Sequence, residues 1–79
     1  MRVEEILNEL HIKLLGSYYS VLNMSCLYEI EINNRNYRIT KENGLYKVYE
    51  VLEKETLEQC SSGNILSVKN ILKAIKDRG

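Results

Sequence analysis

Proline, phenylalanine and tryptophan are absent from this 79-residue sequence, histidine occurs once, cysteine twice and glycine four times. Each shortage removes a class of chemistry. One histidine and two dispersed cysteines cannot assemble the four-ligand sets of structural zinc. Four isolated glycines make neither a phosphate-cradling loop nor a nucleophile elbow. Apolar runs of two or three residues fall far short of the roughly 20 needed to cross a bilayer, so no membrane role is expected. Eleven basic residues balance eleven acidic ones, and neither a basic nucleic-acid coat nor an acidic mimic is written into the total.

The two cysteines, Cys26 and Cys60, lack Cys-x-x-Cys spacing and read as two free, buried thiols of a reducing compartment. The start, Met1-Arg2-Val3-Glu4-Glu5, carries carboxylates where a secretory leader is apolar, which makes the cytoplasm the expected location. Without export, the glycosylation pattern Asn23-Met24-Ser25 is a chance match. The length suits one small domain, whose packing falls to eleven Leu, eight Ile and five Val, with six Tyr as the whole aromatic content.

Val3, Ile6, Leu7, Leu10 and Leu14 recur at helical spacing and predict an amphipathic helix over about residues 2 to 15, with Gly16 as its C-terminal cap. Residues 17 to 23 have no clear period and suit a short edge strand or a loop. From Cys26 the period becomes two. Asn33-Asn34-Arg35-Asn36 is a turn cluster, and Asn43-Gly44 is the strongest two-residue hairpin signal in the chain. With loops at Asn34-Arg35 and Asn43-Gly44, Ile30, Ile39 and Val48 line up, Glu31 and Tyr49 oppose Arg38, and Tyr28 aligns with Lys41 and Tyr46. One face then holds Cys26, Tyr28, Ile30, Ile32, Tyr37, Ile39, Tyr46, Val48 and Leu52.

Glu53-Lys54-Glu55 reads as a turn, and Thr56 to Cys60 as a fourth strand whose register no loop length settles. After a loop at Ser61 to Asn64, Val68, Ile71, Leu72 and Ile75 mark a second helix, with Ser67 the preferred N-cap and Asn64 its rival. The expected fold is α+β: an N-terminal helix, a three- or four-stranded antiparallel meander and a C-terminal helix, both helices on one face of the sheet.

No catalytic constellation emerges. His11 lacks an orienting carboxylate on its own helix and reads as a boundary histidine. Cys60 beside Ser61 and Ser62 has no evident base, and Glu53, Glu55 and Glu58 lack the alternating ligands of a calcium loop. Neither an enzyme activity nor a cofactor, metal or small-molecule substrate is expected.

Two surfaces stand out. The second sheet face holds Leu27, Arg38, Leu45, Lys47, Tyr49 and Val51, apolar residues interleaved with charge, and Tyr and Arg are favoured at interfaces. The blander account is that Arg38 stacks on Tyr49, or that the Tyr18-Tyr19 segment folds over this face. On the last helix Lys69, Lys73 and Lys76 share a narrow sector that could meet phosphates, or could simply be solvated. A three-stranded sheet followed by one helix is similar in outline to the arm-type DNA-binding domains of phage-style integrases. That likeness spans about Leu27 to Arg78 and rests on element order alone. The sheet lacks the basic and aromatic strand residues such readers would show. The expected function is therefore that of a small protein-binding module of regulator or inhibitor type, able to form a homodimer through the outer sheet face, with nucleic-acid binding as the alternative.

Overall fold

A computed structural model describes residues 1–78, with the side chain of Glu55 outside that description. In chain order the elements are α1 (Val3–Glu9), five strands β1 (Lys13–Ser20), β2 (Ser25–Ile32), β3 (Arg35–Glu42), β4 (Leu45–Val51) and β5 (Leu57–Gly63), and α2 (Ile65–Asp77). The strands form one antiparallel sheet in the order β1-β2-β3-β4-β5, so the α+β class holds but the strand number is five, not three or four. Among the described residues no helix is long and apolar enough to cross a membrane.

The first helix is half the predicted length. It starts with the Glu5 carboxylate accepting from the Arg2 N–H at 3.0 Å and stops at His11, whose φ of 57° is a conformation His tolerates better than most residues. The His11 N–H then reaches Asn8 O at 3.2 Å, and the Ile12 N–H reaches Leu7 O at 2.8 Å. This pair of bonds is a Schellman ending, with Leu7 and Ile12 both in the core as its apolar contact. Leu14, which extends the helical period, in fact lies in β1 opposite Ile30 and is exposed. Gly16 is no cap. It lies at an irregularity where the register with β2 passes from Leu14 opposite Ile30 to Gly16 opposite Glu29, a bulge that leaves Leu15 unpaired.

The β2–β3 turn is Asn33-Asn34 rather than Asn34-Arg35, since Ile32 pairs with Arg35. Both asparagines take positive φ, 53° and 65°, as a type I′ turn requires. Placing Arg35 there would cost roughly 1–2 kcal/mol. Ile30 accordingly faces Tyr37, Tyr28 faces Ile39, and Glu29, not Glu31, faces Arg38. The slide is two residues, so every side chain keeps its expected face. At the next turn Asn43 and Gly44 have φ of 53° and 77°, and Ile39 pairs with Val48, Arg38 with Tyr49 and Lys41 with Tyr46.

β5 runs to Gly63, through most of the expected loop. Its register jumps between Ser61 opposite Val48 and Gln59 opposite Tyr49, a bulge at Cys60 that explains why no single loop length fits. A tight turn at Glu53–Glu55 precedes it, closed by the Leu52 N–H on Thr56 O at 2.7 Å. Leu52 lies beyond the end of β4 and is exposed. The N-cap of α2 is Asn64, whose Oδ1 accepts from the Ser67 N–H at 3.1 Å.

Val3, Ile6 and Leu7 of α1 and Val68, Leu72 and Ile75 of α2 join Ile30, Ile32, Tyr37, Ile39 and Val48 in one core. Both helices thus cover the same face. The outer side of the sheet has no element of the described chain laid across it.

Candidate functional site: the bare face of the sheet

Pairing fixes what this outer side carries. Arg38 stands between Glu29 and Tyr49, Thr40 between Leu27 and Lys47, and Val51 beside Leu57. All six residues singled out in the sequence, Leu27, Arg38, Leu45, Lys47, Tyr49 and Val51, share it. β5 adds Leu57 and the bulge in β1 adds Leu15, neither of which the sequence pattern assigned to this surface.

Arg38 is the centre of the arrangement. Its Nη2 donates to Glu29 Oε1 at 2.9 Å, with the two side chains 27% and 34% exposed. Its Nε is buried without a hydrogen-bond partner. Two shallow depressions meet at this residue, one bordered by Leu15, Glu29 and Val51, the other by Leu27, Leu45, Tyr49 and Leu57. A guanidinium surrounded by apolar side chains is poorly hydrated, which strengthens any further carboxylate or carbonyl contact made there. The Tyr18-Tyr19 segment does not fold over this surface as a flap. Both residues lie on β1, paired beside β2: Tyr18, opposite Leu27, stands at the β1 rim of the surface, while Tyr19, opposite Cys26, points to the other side.

The lysine stripe is less free than its wheel suggests. Lys69 Nζ is 3.1 Å from Glu9 Oε1. Lys76 donates to the Leu10 carbonyl and lies 3.4 Å from the His11 carbonyl oxygen, so it caps the end of α1. Lys73 alone of the three has no such contact here and is exposed.

His11 is exposed in the turn after α1 rather than beside an apolar helical stripe. Cys26 and Cys60 are unbonded and half-buried. Burial, and then the nearby Glu50 and Glu58 carboxylates, push the Cys60 thiol above its ordinary range against a hydrogen bond from the Glu50 backbone, so it is protonated at neutral pH. Tyr28 and Tyr37 are raised mainly by burial, with Glu4 and Glu50 respectively adding to it. Among the described residues no group of three His, Cys, Asp or Glu is placed to hold a metal. The Glu55 member of the acidic turn has its side chain outside the described residues.

The five-strand meander departs from the three-strand outline of the integrase arm domains. No family model matches this chain, and neither a curated protein nor a solved structure is significantly similar to it.

Proposed function

We propose that this chain is a non-catalytic interaction module of regulator or inhibitor type that docks on a larger protein through the bare face of its sheet. The observation that carries this reading is the ring of Leu27, Leu45, Tyr49, Val51 and Leu57 around the partly dehydrated Arg38, on a face to which no helix of the described residues is applied. An aromatic and an arginine in a patch of aliphatics is the composition of an interface centre. The free thiols Cys26 and Cys60 fit a reducing, cytoplasmic setting. The internal engagement of Lys69 and Lys76 leaves the nucleic-acid alternative with little free charge.

The test is affinity capture from the native host with the wild type and with the Tyr49→Glu, Leu45→Lys double variant. A protein retained by the wild type and lost by a variant with unchanged circular dichroism supports the docking face. Equal retention by both overturns it.

A further inference from the structure

β1 is an edge strand of unusual character. Of the exposed large apolar residues, Leu14, Leu15, Tyr18, Tyr19, Val21, Leu22 and Met24 all fall in this strand and the hairpin tip that follows. Tyr18 and Tyr19 are 59% and 62% exposed, and Leu22 at the tip is 97% exposed. From Leu14 through Tyr28 there is no charged residue and no proline, in a chain that is 28% charged. Edge strands are ordinarily protected by lysines, prolines or inward charges, because their unpaired N–H and C=O groups accept another strand. Past the bulge, Gly16 to Ser20 pairs with β2 in unbroken register and lacks every one of those protections.

We propose that β1 pairs antiparallel with β1 of a second copy of this chain, joining two five-stranded sheets into one of ten. The occupant follows from chemistry. A row of backbone donors and acceptors takes an extended strand, and a two-fold axis demands that the strand tolerate itself. With the axis at Tyr18, Tyr18 meets its own copy as a cross-strand aromatic pair, Ser17 meets Tyr19 and Gly16 meets Ser20, with no like charges opposed. The same register brings Leu14 and Leu15 of each copy alongside Val21 and Leu22 of the other, covering apolar side chains at both ends of the contact. The opposite edge does not compete. β1 confines its lysine and bulge to one end and keeps Gly16 to Ser20 uncharged in unbroken register. Glu58 and the central bulge of β5 leave only Ser61 to Gly63, so association closes at two copies rather than continuing into a fibre. Self-association thus runs through the edge, with the Tyr18 pair at the rim of the bare face beside Leu27, and leaves Arg38, Leu45 and Tyr49 on the inner strands uncovered.

The full chain is examined by sedimentation velocity from about 1 to 100 µM. A dimer for the wild type, weakened at least tenfold by Tyr18→Lys and retained by Tyr18→Phe and by the Tyr49→Glu, Leu45→Lys variant, is the expected result. A wild type that is monomeric throughout overturns the proposal, as does a dimer indifferent to Tyr18→Lys. A dimer lost in the bare-face variant and kept in Tyr18→Lys also overturns it, while leaving the docking face to its own test. Should Tyr18→Lys fail to fold, amide exchange of the wild type decides: protection at Gly16 to Ser20 must fall on dilution, and concentration-independent protection refutes the edge pairing.

Discussion

Arg38 and Glu29 stand directly opposite one another on β3 and β2, and Arg38 Nη2 donates to Glu29 Oε1 at 2.9 Å. Both side chains keep contact with water, so the pair contributes about 1 kcal/mol or less to stability. Its weight in docking is larger, because a partner would dehydrate it completely. Arg38→Ala is therefore expected to shift the urea midpoint little and to weaken partner binding tenfold or more, measured by titration calorimetry once a partner is in hand. An equal loss of stability and affinity would assign Arg38 to the fold alone.

Asn33 has two tasks that substitution can separate. Its backbone occupies the first positive-φ position of the β2–β3 turn, and its Nδ2 donates to the Ile75 and Lys76 carbonyls at 3.3 and 3.4 Å. Asn33→Gly keeps the turn and removes the bonds, for a loss of about 1 kcal/mol. Asn33→Ala removes both and costs a further 1 kcal/mol, roughly. Identical denaturation midpoints for the two variants would show that the turn conformation makes no separate contribution.

Lys76→Met keeps the aliphatic stem and deletes the donor to the Leu10 carbonyl. The expected loss is about 1–2 kcal/mol by thermal unfolding, since the donor is charged and the acceptor ends a helix. Lys73→Met should be close to neutral. The same pair of variants examines the stripe: an electrophoretic shift of DNA or RNA at low salt that vanishes in Lys73→Met would revive nucleic-acid binding.

Alkaline pH should loosen the fold. Cys60, Tyr28 and Tyr37 all hold their protons more tightly when folded than when unfolded, chiefly through burial. Their contribution is complete below the unfolded pKa values and declines as pH climbs through the interval up to the folded ones, a fall beginning near about pH 8.5 where an exposed thiol ionises. Denaturant midpoints taken between pH 7 and 10.5 should decrease, and Cys60→Ala should delay the onset. Alkylation of Cys60 should be slow at neutral pH. Fast modification there would contradict the burial of the thiol.

The central three strands are legible in the sequence because two-residue periodicity and asparagine-rich turns point to the same pattern. The site residues on β2 to β4 could be assigned to one face even though the Asn33 turn slid the register by two. What escaped the pattern has local causes. Leu10 and Leu14 continue the helical wheel begun at Val3, and only the positive φ of His11 ends it, leaving Leu10 as the C-cap and Leu14 in β1. The bulges at Leu15 and Cys60 interrupt periodicity, which obscures the extent of β1 and the register of β5, and with them the placing of Leu15 and Leu57. The same two-residue slide puts Glu29 rather than Glu31 opposite Arg38, whereas Tyr49 stands opposite it as the pattern predicts.

The grip of Lys69 and Lys76 on the end of α1 has a temporal meaning. A helix of seven residues cannot persist by itself in water, and the side chains that hold it lie 60 and 66 positions downstream. Within this domain α1 consequently waits on α2: the helix is made before the sheet and can settle only once the helix that follows the sheet has been made.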